Sequence, residues 1–177
     1  MKKISLTLFL LLLTVSFSFA KVLTVTYNWT RIQSHGSNQM AVWLEDTKGK
    51  HISTLFVTQW GAKGGYLKRP LTLSEWTVKY DLPNATKAEV DAISGATPQT
   101  GPQTLVWNGK DKKGKIVPPG PYVLRMEANI LDADKMFFRA EVKIGGKNQE
   151  TKGAITFTRP ELASGNVLFK DVLVQYK

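Results

Sequence analysis

Several stretches of this chain alternate apolar and polar residues with a period of two, and that period most narrows what the chain can fold into. Val22 to Trp29 alternates without a break, with Leu23, Val25, Tyr27 and Trp29 on one side and Val22, Thr24, Thr26 and Asn28 on the other. A strand turns successive side chains to opposite faces, so this run is a half-buried strand. Met40, Val42 and Leu44 alternate with Ala41, Trp43 and Glu45, and Asp46-Thr47-Lys48-Gly49 turns the chain into a run from His51 to Gln59, which makes a hairpin. Tyr122, Leu124, Met126, Ala128 and Ile130 alternate with Val123, Arg125, Glu127 and Asn129; Phe138, Ala140, Val142 and Ile144 repeat the pattern after an Asp-Ala-Asp-Lys turn. Gln103 to Trp107, Ala154 to Thr158 and Val167 to Tyr176 are further strand candidates. Strands this frequent, with turn residues between them, predict an all-β fold, an Ig-like β-sandwich.

The period changes in one place only. Trp60 to Pro70 is rich in Gly and Lys and irregular, and beyond it Thr72-Leu73-Ser74-Glu75 and Thr86-Lys87-Ala88-Glu89 both fit the capping box, in which a Thr and a Glu three residues on satisfy each other's amides. Two short helices are predicted here, the first turning Leu73, Trp76 and Tyr80 inward and ending at Leu82-Pro83-Asn84, the second turning Val90 and Ile93 inward. The second runs into Ser94-Gly95-Ala96-Thr97, a loop that opens with Gly95 as the left-handed residue after a helix. Gly95 and Ala96 remove bulk beside the Thr97 hydroxyl, so a second protein can approach it closely, and the loop is a plausible acceptor for a covalent group.

The amino terminus bears on where such chemistry would happen. Met1-Lys2-Lys3, an apolar run from Ile4 to Phe19, and Ser18 and Ala20 before Lys21 have the layout of a secretory signal peptide spanning residues 1–20. Of 177 residues, 157 then remain, enough for a single domain, residues 21–177, with its own core. The chain has no cysteine, which excludes disulfides, thiolate metal sites and a lipoprotein anchor. Two of the 24 Lys and Arg fall in residues 1–20 and none of the 14 Asp and Glu, so 22 basic residues face 14 acidic ones and the mature charge is +8. The lysines are scattered and no nucleic-acid motif is present, so an anionic partner, membrane surface or phosphate is expected rather than RNA or DNA.

The run Asp91-Ala92-Ile93-Ser94-Gly95-Ala96-Thr97 resembles the flavinylation motif, an Asp, two variable residues, Ser or Thr, Gly, Ala, then Thr or Ser. In proteins with that motif an FAD:protein FMN transferase attaches FMN through a phosphoester to the last hydroxyl. The resemblance implies Thr97 as acceptor, Asp91 as the carboxylate the transferase reads, Ser94 as a hydrogen-bond partner of the attached phosphate, and Gly95 and Ala96 as the small residues between. Val106-Trp107-Asn108-Gly109-Lys110-Asp111 through Pro119-Gly120-Pro121-Tyr122 is similar to a hairpin of Ig-like domains such as the flagellar hook-capping module, which implies a turn at Asp111 and Gly114 and packing of Trp107 against Tyr122. Together with Ala41-Val42-Trp43-Leu44-Glu45-Asp46 these runs look like a family of predicted periplasmic proteins known as a domain of unknown function, associated with flavin transferases and PepSY-type membrane proteins.

What the resemblance implies is an exported electron-transfer protein with covalent FMN, a redox carrier more than a stand-alone enzyme, with the transferase and a PepSY-type membrane protein as partners. Trp76, Trp60 and Tyr66 are the aromatics nearest in sequence that could stack on the isoalloxazine. Other chemistry finds little support. His35 and His51 lie apart without metal spacing and read as surface residues, and there is no Gly-x-Ser-x-Gly elbow. Lys110, Lys112, Lys113 and Lys115 form a basic turn, solvated or docking to an anionic partner. The alternative is an Ig-like binding or assembly module of the cell envelope in which Ser-Gly-Ala-Thr is only a turn.

Overall fold

The computed structural model describes residues 21–33, 38–129, 133–165 and 167–177. The signal-peptide reading of residues 1–20, His35, and the end of the strand predicted to reach Ile130 lie outside the described residues. In chain order the elements are β1 (Leu23–Trp29), β2 (Gln39–Asp46), β3 (His51–Thr58), α1 (Tyr66–Lys68), α2 (Ser74–Tyr80), α3 (Lys87–Ile93), β4 (Ser94–Gly95), β5 (Gly101–Trp107), β6 (Gly120–Asn129), β7 (Lys135–Ile144), β8 (Gln149–Lys152), β9 (Ala154–Phe157) and β10 (Phe169–Tyr176). They form two sheets, one ordered β5-β1-β10-β8 and the other β4-β3-β2-β6-β7-β9. This is the predicted all-β sandwich.

The alternating residues of β1 place Leu23, Val25, Tyr27 and Trp29 against Met40, Val42 and Leu44 of β2, with Leu124, Met126 and Phe138 completing the core between the sheets. The turn after β2 forms because the Asp46 carboxylate accepts the amides of Lys48 at 2.8 Å and Lys50 at 3.0 Å. The strand β8, Gln-Glu-Thr-Lys, has no apolar alternation and was invisible to a hydrophobic pattern; its place is fixed by pairing with β10.

The helices lie on the other face of the six-stranded sheet. Ala41, Trp43 and Val57, the residues of β2 and β3 that point away from the sandwich core, form a second cluster with Ala62, Leu73, Trp76, Tyr80, Leu82 and Val90. Leu73, Trp76 and Tyr80 are thus inward as predicted, and β2 is covered on both faces. The irregular stretch after β3 is helical too, a kinked turn over Gly61–Gly65 that leads into α1, so three short helices stand among the described residues where two were predicted. The kink sits at Lys63 and at Gly64, whose φ of 98° suits glycine.

The capping box predicted at Thr86 is made: its hydroxyl accepts the Glu89 amide at 3.2 Å and Glu89 accepts the Thr86 amide at 2.8 Å. The one predicted at Thr72 is not. Leu73, at the start of α2, takes a left-handed conformation with φ 48°. The cap comes from the sheet instead. Glu127 of β6, fully buried, accepts the amides of Trp76 at 3.0 Å and Glu75 at 3.5 Å, and Asn129 accepts that of Leu73 at 2.9 Å. Lys135 of β7 pairs with Glu127 at 2.9 Å and donates to Ser74, while Arg125 pairs with Glu75. Burial pushes the Glu127 carboxyl up, against the Lys135 ammonium and the two amides, which favour its charge.

The Trp107 to Tyr122 region departs from the expected hairpin. Strand β5 pairs with β1 in one sheet and β6 pairs with β2 and β7 in the other, so the segment crosses between sheets. Only a small turn inside it has hairpin geometry, bridged at Lys110 and Ile116, with Gly114 N donating to Asp111 O at 2.9 Å as the turn residues predict. Trp107 and Tyr122 both enter the core, but each ties to its own side of the crossover, Trp107 Nε1 to Lys110 O and Tyr122 Oη to Pro118 O, both at 2.8 Å.

Candidate functional site

Asp91 to Thr97 begins in the last turn of α3 and leaves it along the six-stranded sheet. Ser94 and Gly95 do not form a loop: as β4 they pair in parallel with Val57 and Thr58 at the end of β3. Gly95 is not left-handed, and Ser94, at the helix end, is extended with ψ 142°. Glycine serves a different purpose. A Cβ on Gly95 would lie 2.8 Å from Phe56 Cε2, so any larger residue here must turn the half-buried Phe56 ring aside for the motif to seat on β3.

The motif's side chains differ in how they are held. Asp91 forms an ion pair with Lys63, and the hydrogen bond from Lys63 holds its carboxyl below the usual carboxylate range. Ser94 Oγ is shut off from solvent with no hydrogen-bond partner. Ala96 is exposed, and Thr97 is half-buried with a hydroxyl that bonds to no described residue. Thr100, by contrast, is occupied, accepting the Arg31 amide at 2.9 Å.

Of the three candidate aromatics the structure removes one. Trp76 is fully buried, stacked on Tyr80 with ring centroids 5.1 Å apart, and donates to Thr54 Oγ1 at 2.9 Å, so it is core. Trp60 is 37% exposed with the Arg69 guanidinium 5.5 Å from its ring centroid. Since Gly95 pairs with Thr58, Trp60 and Thr97 each stand two residues beyond the last paired position of adjacent strands. Tyr66 lines a groove of about 380 Å³ with Lys63, Leu82, Pro83, Lys87 and Asp91. The other side of α3 opens on a groove of about 440 Å³ that includes Ile93, Trp107, Lys110 and Lys112. The basic turn is therefore no free projection; Lys112 N donates to Ile52 O at 3.0 Å and holds it on β3.

His51 is not a surface residue. Its Nε2 lies 2.8 Å from Thr54 Oγ1, and its ring meets Tyr80 edge-on at 5.3 Å, because α2 covers this end of β3. Burial first, and the Lys112 charge second, lower its pKa to about 4. The unfolded chain takes up this proton near pH ~6.5 while the folded one refuses it, so stability is full above pH ~6.5 and is lost as pH falls toward about 4. Melting temperatures of wild type and His51→Gln across that range should converge on acidification; parallel curves would show that His51 is not responsible.

Three charged groups that organise this region, Lys63, Arg125 and Glu127, went unread in the sequence. Glu127 and Arg125 stood on the polar side of an alternating strand, where solvent was the simplest partner, and Lys63 lay in the irregular stretch.

No curated protein and no solved structure matches the chain. Residues 22–158 match a family described as predicted periplasmic protein, DUF2271. The chain belongs to this family. As a DUF2271 protein it is placed in the periplasm, in agreement with the signal-peptide layout. The matched span takes in β1 through β9 and the helical insertion, and leaves outside it β10, which lies between β1 and β8 in the four-stranded sheet.

Proposed function

We propose that this periplasmic chain is a flavin carrier, with FMN joined to Thr97 through a phosphoester by an FAD:protein FMN transferase. The observation that carries the reading is the Thr97 hydroxyl, half-exposed and uncommitted at the end of a segment that helix, strand pairing and the Asp91–Lys63 ion pair all hold in place. In the attachment step Thr97 Oγ forms a bond to the FMN phosphorus of FAD, the anhydride bond to AMP breaks, and the hydroxyl proton passes to a base of the transferase. Asp91, exposed and ionised, can serve that enzyme's metal by exchanging Lys63 for it. The Ser94 hydroxyl, three residues from the acceptor, has no partner but is enclosed, so it meets an attached phosphate only if β4 opens. Trp60 and Tyr66 offer aromatic faces, and Lys63 and Lys87 offer positive charge, beside the same segment.

FMN, when bound, supplies one- and two-electron transfer. Covalent attachment suits a compartment from which a dissociated cofactor is lost by dilution. The chain itself carries no catalytic residue in this reading; a PepSY-type membrane protein is the partner with which it exchanges electrons. Wild-type protein coexpressed with the transferase should run as a yellow, fluorescent band on a denaturing gel and gain the mass of FMN less water. If neither is seen, the reading falls and an Ig-like binding or assembly module takes its place.

Gly95→Val should weaken both fold and modification. The added branches press on Phe56 and push β4 off β3, at a cost of about 1–3 kcal/mol, as for other overpacked sites. A denaturation midpoint and an adduct yield both equal to wild type would show that the seat on β3 does not matter.

A further inference from the structure

We propose that the helical insertion docks on an anionic phospholipid surface. The observation is a set of aliphatic side chains standing in water on one excursion of the chain: Leu67 is 71% exposed, Leu71 50% and Val78 77%. Leu71 and Val78 flank an open, mainly apolar groove of about 590 Å³ floored by Phe137 and Ala133. The charged side chains at this groove are already committed, Glu75 to Arg125, Lys79 to Glu45 at 3.6 Å and Lys135 to Glu127. A charged ligand would find no free counter-charge there, so the occupant is apolar.

The surroundings say what kind of apolar occupant. Lys68 follows Leu67 directly, is exposed and forms no ion pair with a described residue, so a cation stands beside a protruding aliphatic. From Lys21 onward the chain carries 22 basic residues against 14 acidic ones, an excess of eight positive charges. Exposed aliphatics flanked by basic residues are the combination that lets a soluble domain lie on an anionic bilayer, the side chains entering the acyl boundary while the lysines meet the phosphates. No helix among the described residues is long and apolar enough to cross a membrane. The contact is therefore made at the surface. It is independent of the flavin reading and uses none of its residues.

The test is sedimentation of the chain from Lys21 onward, which contains every element of the fold, with vesicles. Wild type should sediment with vesicles of phosphatidylethanolamine and phosphatidylglycerol and stay in solution with phosphatidylcholine alone. Leu67→Gln with Val78→Gln should lower the partition at least about tenfold, since each aliphatic loses its transfer free energy. Val106→Gln, at a valine 62% exposed on β5, should bind like wild type. Circular dichroism of each variant should match wild type, because all three residues are exposed. The proposal is overturned if wild type ignores the anionic vesicles or binds neutral ones as well, if the double variant still binds, or if Val106→Gln loses binding equally. It is also overturned if wild type is a dimer by light scattering that the double variant converts to monomer, for then a second copy covers the patch.

Discussion

Thr97→Ala should abolish the FMN adduct on coexpression with the transferase while leaving the melting curve within about 1 kcal/mol of wild type. The first half follows from the acceptor role proposed for its hydroxyl. The second follows from the structure, since that hydroxyl bonds to no described residue and its loss leaves no buried partner unsatisfied. Neighbouring hydroxyls sharpen the test. Thr100 is already an acceptor for the Arg31 amide, and Ser94 is enclosed, so neither should take over the modification. Thr100→Ala should therefore be fully modified, and Asp91→Asn should behave like Thr97→Ala if the transferase reads the carboxylate. Intact mass spectrometry decides among them: an adduct that persists in Thr97→Ala removes the assignment.

Glu127→Ala should destabilise the protein by about 3–5 kcal/mol, the range for breaking a buried ion pair from one side. The loss leaves the Lys135 ammonium buried without its carboxylate and strips the Trp76 and Glu75 amides of their acceptor at the start of α2. Helix α2 should then loosen from the sheet. Trp76 and Trp43 share the cluster between α2 and the sheet, so tryptophan emission should shift to the red before the sandwich melts. Glu127→Gln separates charge from hydrogen bonding, since it keeps an acceptor for the amides, and should recover part of the loss. A Glu127→Ala protein as stable as wild type would show that the sheet does not hold the helix through this carboxylate.

These two residues also mark how far the sequence could be read. Period-two runs identified β1, β2, β6 and β7, because each buries at least one face and burial is what writes alternation into a chain, while β3 was legible from the turn that precedes it. Strand β8 was not legible, since its order comes from the hydrogen bonds of β10 and not from apolar side chains. The capping box at Thr86 was legible because cap and helix are neighbours in sequence; that of α2 was not, because its acceptors stand more than fifty residues away on β6. The same distance explains His51, which reads as a polar residue until α2 lies over it. At the candidate site the order of residues from Asp91 to Thr97 was plain, yet the role of Gly95 was not. Its neighbour Phe56 is brought close only by the parallel pairing of β4 with β3.

The strand β2 leaves the folding chain with an unusual choice. In most half-buried strands a slip of one residue is opposed by polarity, since it would drive polar groups inward and apolar groups into water. Here both faces of β2 are dry, and a slip would exchange Met40, Val42 and Leu44 with Ala41 and Trp43 between two interiors. Two things forbid the exchange: the indole of Trp43, tied to Glu45 at 2.8 Å, is shaped to the space beneath the helices, and the buried Gln39 and Glu45 on the same face would be carried to the apolar core between the sheets. A substitution that evened out the volumes would therefore weaken the alignment of the hairpin without exposing a single apolar side chain, leaving the two polar ends to hold it.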